Sequence, residues 1–386
     1  MSRQACPYCG HQNTISVYWA ELPKILSACP EAILPQATLA PFEVRLCQNC
    51  SLGFNSQPLS LEDLTFLYDN YLYISPLKGM GTQKYTGMVK TLKKECAPGD
   101  HLVEIGCSEG YLLQQLADGG FTNLLGIEPG PQAATARALG HRIHQEYFDD
   151  LTCRDERVDC FYLMHVFEHF PDPFTILAQM VDQLSVGGKI IIEVPNACGF
   201  HHQHLFYYNE IFLEKLARQQ GLTPLVSHST KEIIRVVWQK QTTPPPALSK
   251  IPSLDMGSPM RQRCRAVDAM VKRLNAILAA RQGKKLHWWG CGSAAVIYIS
   301  RLDPDRVSGV EWILIDGDKS REGYYLPGLD ARVIHPDNLN PDNIDSGPGT
   351  PDLCLVIASS FHEEILNAIG NYKISPGESI IIKDFI

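Results

Sequence analysis

Between about residues 77 and 241 the chain alternates short apolar runs, each long enough for one buried strand, with stretches of helical periodicity. Leu102-Val-Glu-Ile105, Leu124-Leu-Gly-Ile127, Cys160-Phe-Tyr-Leu-Met164, Ile190-Ile-Ile-Glu-Val194 and Ile233-Ile-Arg-Val-Val-Trp238 are the strand candidates, and Phe174 to Leu184 is an amphipathic helix between them. A strand buried on both faces reads as a continuous apolar run, and parallel neighbours need a crossover helix. The alternation therefore predicts an α/β domain, a parallel sheet with helices on both faces.

The flanks differ from this core. Residues 1–76 carry two CxxC knuckles, Cys6-Pro-Tyr-Cys9 and Cys47-Gln-Asn-Cys50. Residues 242–259, opening Thr242-Thr-Pro-Pro-Pro-Ala, read as a proline-rich linker. Residues 260–386 begin with a helix whose Cys264, Val267, Val271, Leu274 and Leu278 form one apolar stripe. A second α/β pattern follows, with strands expected at Lys285 to Trp289, Trp312 to Ile315, Leu353 to Ala358 and Ser379 to Ile382, and a glycine turn at Gly290-Cys-Gly292.

Thirteen cysteines without an export signal point to reduced thiols. Two thiolates at i and i+3 on a tight turn chelate one metal, and a second such turn completes a tetrahedral site, so Cys6, Cys9, Cys47 and Cys50 are expected to hold a structural zinc. The isolated cysteines are expected to be small buried hydrophobes. A formal charge of −8, from 34 Lys+Arg against 42 Asp+Glu, argues against a general nucleic-acid binder, whose affinity rests on neutralising phosphates. No apolar stretch reaches membrane-spanning length and the N-terminus lacks a signal-peptide core, so a cytoplasmic protein without a membrane partner is expected.

Glu104-Ile-Gly106-Cys-Ser-Glu-Gly110 ends the first core strand and leads into a helix, a turn at which a ligand can approach the backbone. The next strand ends in Gly126-Ile-Glu128-Pro129, where a carboxylate can accept hydrogen bonds from both hydroxyls of a ribose. The spacing E-x-G-x-x-x-G differs from the G-x-G-x-x-G of dinucleotide sites and favours a nucleoside without a pyrophosphate.

These residues resemble a class I S-adenosylmethionine-dependent methyltransferase. The resemblance implies a Rossmann-like core in which Glu104, Gly106 and Gly110 pass over the methionine part of the cofactor, Glu128 holds the ribose and Asp149 lies by the adenine. Ser108 stands where many members have glycine. Asp159 to Pro173, which includes His165, Glu168 and His169, resembles the fourth strand and following loop, with His165 expected near the cofactor. The order of N-terminal zinc module, methyltransferase core and C-terminal second Rossmann-like domain resembles the nucleotide-sugar C-methyltransferases, which methylate a ring carbon of a deoxy-keto-sugar nucleotide.

That family carries Tyr-His-Glu-His-Phe past its fifth strand. Here the positions hold His201-His202-Gln203-His204-Leu205, so His202 and His204 are kept and the glutamate becomes Gln203. The resemblance implies His204 as the base that removes a proton from the carbon beside the ketone, with Tyr73 and His169 as donors and His201 and His202 as further candidates. A neutral amide cannot raise a neighbouring imidazole's basicity as a carboxylate does. No cysteine or carboxylate lies in ligand spacing within the histidine run, so a metal is not expected there. The expected partner is a small molecule, a nucleotide-sugar, and no oligomeric state is implied. The alternatives are methylation of oxygen, nitrogen or carbon on a non-sugar metabolite and, more distantly, a zinc-knuckle interaction or RNA-binding protein.

Overall fold

The computed structural model describes residues 4–70, 75–78, 81–154, 156–243, 245–246, 257–339, 354–357, 365–366 and 378–382. Three sheets organise them. At the N-terminus, strands β1 (Thr14–Pro23) and β2 (Leu39–Cys47) pair antiparallel along almost their whole length, and β3 (Gly53–Asn55) adds to β2. Helix α1 (Leu61–Asp69) follows, its first turn capped by the Ser60 hydroxyl, which accepts from the Asp63 amide.

The central sheet holds β4 (Leu102–Ile105), β5 (Leu124–Ile127), β6 (Arg142–His144), β7 (Val158–Met164) and β8 (Leu184–Pro195), in the spatial order β6-β5-β4-β7-β8 and all parallel. Alternate residues serve opposite faces. Ile190 and Ile192 pack with Phe161 and Leu163 on one side, whereas Ile191 joins Tyr162 and Leu102 on the other. Both sides are apolar because both are covered. Helices α2 (Thr86–Glu95), α3 (Tyr111–Ala117) and α4 (Ala133–Ala138) supply the second face, and α5 (Pro173–Gln183) supplies the first.

The chain then leaves the central sheet. Strand β9 (Phe206–Tyr207) pairs with β3, making the N-terminal sheet four-stranded with its last strand drawn from beyond residue 200. Gly53 permits this approach, since a Cβ there would sit 2.8 Å from Cβ of Tyr207. Helix α6 (Glu210–Gln219) returns to the first face, and β10 (Leu222–Ser229) and β11 (Ile233–Lys240) form a hairpin that adds to β8 antiparallel. The expectation of a wholly parallel core is corrected here. The close-packed hairpin, with the Thr230 amide donating to the Ile233 carbonyl, needs no crossover helix. Two strands of the central sheet were not anticipated, because β6 has three residues with one buried and β10 ends in an exposed polar stretch.

Helix α7 (Gly257–Ala280) starts inside the proline-rich stretch and buries Met260, Cys264, Val267, Leu274 and Leu278. Beyond it lie β12 (Lys285–Trp289), α8 (Ser293–Ile299), α9 (Pro304–Ser308), β13 (Glu311–Ile315), β14 (Val333–Ile334), β15 (Cys354–Ile357) and β16 (Glu378–Ile381). This third sheet is parallel, in the order β14-β13-β12-β15-β16. One apolar core joins it to the N-terminal sheet, with Tyr18, Phe42, Phe200 and Tyr207 packing together with α7, α8 and Trp288. Among the described residues, no helix is long and apolar enough to cross a membrane.

Candidate functional site

In the central sheet β5 lies on one side of β4 and β7 on the other, so the chain reverses direction there and leaves a crevice at the carboxyl ends of the strands. The turn after β4 lines this crevice. Gly106 and Gly110 have φ of 77° and 79°, and the amides of Gly106 and Cys107 donate to the Ile127 carbonyl at the end of β5. Ser108 has φ of 49°, in the left-handed region that glycine adopts freely, which accounts for the preference for glycine at this point of the turn.

Glu128 joins the two strand ends. One carboxylate oxygen accepts from the Ser108 amide at 3.0 Å and the other from the Gly130 amide at 2.7 Å. Each oxygen keeps a lone pair for an outside donor, which suits the two hydroxyls of a ribose. Glu104 is buried behind the turn and accepts from the Tyr162 hydroxyl at 3.2 Å. Burial raises its carboxyl to about 8; the Tyr162 bond works against that rise and the Glu128 charge adds to it. Asp149 sits apart on an exposed turn, its carboxylate accepting from the Leu151 amide and the Thr152 hydroxyl.

A second group of side chains gathers past the ends of β7 and β8. His165 follows β7 with φ of 55°, a strained conformation for a residue with a side chain. Its ring stands between two carboxyl groups, Nδ1 at 3.7 Å from Glu168 and Nε2 at 3.3 Å from Glu193. Burial lowers its basicity, but the two carboxyl groups outweigh that and raise it to about 9. Glu193 is also bound by Arg235, whose Nε donates at 2.6 Å.

Glu168 was not among the expected site residues. It is 1% exposed, and the same carboxyl oxygen faces His169 Nε2 at 3.8 Å and His204 Nε2 at 3.9 Å. The expectation that the histidine run lacks a neighbouring carboxylate is thus corrected: the partner comes from the loop after β7, brought in by the bond from the Leu205 amide to the Glu168 carbonyl. The Glu168-His169 pair, standing before Pro171-Asp-Pro173, was the available sequence signal.

The histidines divide into two sets. His204 packs against His169 with ring centroids 5.1 Å apart and against His201 at 4.0 Å. Burial holds His204 well below the ordinary imidazole range, lowers His169 and brings His201 to about 3, so these three are neutral near pH 7. His202 turns away: its Nε2 bonds the Leu22 carbonyl at 3.2 Å and its ring meets the face of Phe42 edge-on. Tyr73 lies outside the described residues. From the same aromatic stretch, Tyr68 places its hydroxyl 3.0 Å from His169 Nδ1.

The four knuckle cysteines come together with their sulfurs within 4.8 Å of one another, Cys6 to Cys50 and Cys9 to Cys47 both at 3.6 Å. Zinc–thiolate bonds of about 2.3 Å in a tetrahedron separate the sulfurs by about 3.8 Å, so the donor set fits that ion. Of the remaining cysteines, Cys29, Cys107, Cys153, Cys160, Cys264 and Cys291 are buried.

Residues 82–228, less than half of the chain, match the family described as "Methyltransferase domain". Among curated proteins, the chain is 30% identical over 101 residues to the tRNA U34 carboxymethyltransferase of Shewanella frigidimarina, covering 24% of this chain and 30% of that one. It is 28% identical over 115 residues to the enzyme of the same name from Pseudomonas fluorescens, covering 28% and 36%. The chain thus spans about a third of the length of these relatives. Among solved structures it is similar to a chain of the complex between the Haloferax volcanii Trm112 methyltransferase activator and a methyltransferase, with TM-score 0.38, 20% identity and coverage of 42% and 92%. It is also similar to an S-adenosylmethionine-dependent methyltransferase from Aquifex aeolicus, with TM-score 0.36, 14% identity and coverage of 43% and 98%.

The raised Glu104 carboxyl has a consequence for stability. The folded protein keeps a proton that the unfolded chain releases near 4.5, so this group's contribution is present below that value and is lost as pH rises toward about 8. Glu104→Gln should flatten that decline. Urea melts of both proteins at several pH values across the interval should diverge as pH rises; parallel curves would remove the protonated Glu104 from the account.

Proposed function

We propose that the class I S-adenosylmethionine-dependent methyltransferase domain at residues 82–228 methylates a carbon of a nucleotide-linked keto-deoxysugar, with the histidines around Glu168 as the acceptor site. The observation that carries this reading is the placement of two groups at the carboxyl ends of neighbouring strands, where Gly106 of the turn after β4 lies against Val166 of the loop after β7. One is the glycine turn with Glu128, suited to a nucleoside. The other is the cluster of His169, His201, His204 and Glu168, suited to handling a proton.

The bound cofactor would supply an electrophilic methyl group. The chain's own part is to hold the nucleoside through Glu104, Gly106, Gly110 and Glu128, with Asp149 toward the adenine and His165 near the cofactor, and to generate a nucleophilic carbon. Removing a proton from a carbon beside a ketone needs a group that accepts it and a group that stabilises the enolate oxygen. Proton removal is assigned to depend on His204, with His169 and Tyr73 toward the oxygen and His201 packed against the His204 ring. His202, bonded to Leu22, supports the loop. Because burial leaves His204 only weakly basic, the acceptor must be made more acidic within the site.

The sugar acceptor rests on the order of the flanking modules and on the retained His202 and His204 positions. Gln203 in place of glutamate favours a different acceptor, methylated on oxygen or nitrogen, and the relatives named for tRNA make that nucleic acid a necessary arm of any assay. Cys6, Cys9, Cys47 and Cys50 are assigned one structural zinc, with no coordination position left for a substrate.

Four results are expected. Glu128→Ala removes a charged acceptor contributing about 1.5–3 kcal/mol, so calorimetry should show S-adenosylmethionine affinity falling about tenfold or more; an unchanged dissociation constant ends the ribose role. In a screen of nucleotide-sugars, small metabolites and tRNA with labelled cofactor, a nucleotide-sugar should take the label. His204→Ala should slow that turnover by about 10²-fold while both ligands still bind, and should abolish deuterium exchange at the acceptor carbon. Metal analysis should give about one zinc per chain by the four-thiolate argument, and retention of the metal in a Cys47→Ser, Cys50→Ser double variant would exclude the knuckles.

A further inference from the structure

We propose that Glu168, His169 and His204 form a second metal site, distinct from the four cysteines, which takes one first-row divalent transition cation and leaves coordination positions open to an oxygen of the methyl acceptor. A carboxyl oxygen of Glu168 and one ring nitrogen from each histidine lie within 4.8 Å of one another. The carboxyl oxygen stands 3.8 Å from His169 and 3.9 Å from His204. Metal–ligand bonds of about 2.0–2.2 Å hold tetrahedral donors about 3.4 Å apart, so each pair measured from Glu168 closes by about half an ångström on binding.

Glu168 supplies the independent reason for a cation. Both its oxygens are buried and neither accepts a hydrogen bond. A carboxyl group in that condition is costly unless an ion or a donor meets it. Its other charged neighbour, His165, has a carboxylate of its own in Glu193 at 3.3 Å, so His165 remains partnered when Glu168 turns to a metal. Glu193 is held in turn by Arg235.

The histidines are oriented from behind, as metal-bound imidazoles are. The Tyr68 hydroxyl engages His169 Nδ1 at 3.0 Å and leaves Nε2 directed at the carboxyl group. The His204 ring is pressed between His169 and His201, and Gly199, with φ of 77°, passes so close to it that a Cβ there would collide with the ring. Leu205 N to Glu168 O ties the two ligand-bearing segments together at 2.9 Å.

Two nitrogens and one carboxyl oxygen suit zinc, iron(II), cobalt or manganese better than magnesium or calcium, which favour all-oxygen sets. Three protein ligands are the number found where a metal acts on a substrate, and four where it only holds a fold. The role toward the acceptor rests on the methyl-transfer reading above. There the cation would act as a Lewis acid on the acceptor oxygen, making the neighbouring carbon more acidic. His204 then acts as a ligand, and the proton removed from the acceptor passes to the unpartnered Nδ1 of His201, whose ring lies tilted with its centroid 4.0 Å from that of His204.

The test uses the full chain with its zinc in place, titrated with cobalt(II) by calorimetry and visible absorption. One further equivalent should bind, with the d–d absorption of a nitrogen–oxygen site and no thiolate charge-transfer band. Glu168→Gln and His204→Ala should each weaken this binding by about tenfold or more, by the sensitivity usual for metal sites, whereas the exposed His228→Ala should not. Zinc content and thermal melts of the variants report whether they fold. Glu168→Gln keeps the side chain's shape, so a folded Glu168→Gln protein that still binds cobalt normally overturns the site. Binding of no further equivalent by the parent protein does the same, leaving Glu168 with His165 alone. In that case loss of deuterium exchange in His204→Ala would still uphold the methyl-transfer reading. Conversely, a cobalt site in a protein that does not bind S-adenosylmethionine would sink that reading and leave the metal site standing.

Discussion

The pairing of Gly53-Phe54 with Phe206-Tyr207 ties the N-terminal sheet to the segment that leaves the central sheet, and the histidine loop depends on it. Strand β3 follows directly on the second cysteine knuckle, and β9 follows directly on the histidine run. A geometry set by the four cysteines is therefore passed, through two strands and a glycine that admits Tyr207, to the loop carrying His201 and His204. The knuckle is also packed onto the central domain itself, since Tyr8 lies against Phe174 of α5 and Phe212 of α6 at 4.7 and 5.0 Å. The four-cysteine knuckle can in this way hold the histidine loop through packing and strand pairing alone.

The second organising feature is electrostatic. Glu193 and Glu168 are both buried, and buried carboxyl groups need charge or hydrogen bonds around them. Glu193 has them in Arg235 and His165. Glu168 is ringed by three imidazole nitrogens at 3.7–3.9 Å, none at hydrogen-bonding distance. That contrast between a satisfied carboxylate and an unsatisfied one, on the two sides of the His165 ring, singles out Glu168. The strained backbone of His165 between them fits the tendency of such strain to collect at functional positions.

The C-terminal α/β unit shares its apolar core with the N-terminal sheet more than with the central one. Tyr18 and Phe42 meet α7, α8 and Trp288, Arg301 lies over the Tyr18 ring, and the Ala28 amide donates to the Cys291 carbonyl at the glycine turn after β12. The N-terminal sheet thus sits between the two Rossmann-like units. Phe200, at the start of the histidine loop, stacks on Tyr18 and belongs to that same core. Packing in the C-terminal unit therefore reaches the loop by a second route.

What the sequence determined by itself was local or periodic: the buried parallel strands, the glycine turn after β4, the position of Glu128 at the end of β5, and the pairing of two CxxC knuckles. Each of these follows from residue type at fixed spacing. What only the tertiary structure decided was which segments meet. No spacing rule joins Gly53 to Tyr207, or turns His202 toward Leu22 while His204 turns toward Glu168. The antiparallel run of β11 likewise depends on a short hairpin against β8, because an apolar strand has the same pattern in either direction. The loop itself carries Gln203 and no carboxylate beside His204, and one approaches His204 from the loop after β7. Proximity of that kind comes from packing three sheets around one loop, and a linear pattern does not encode it.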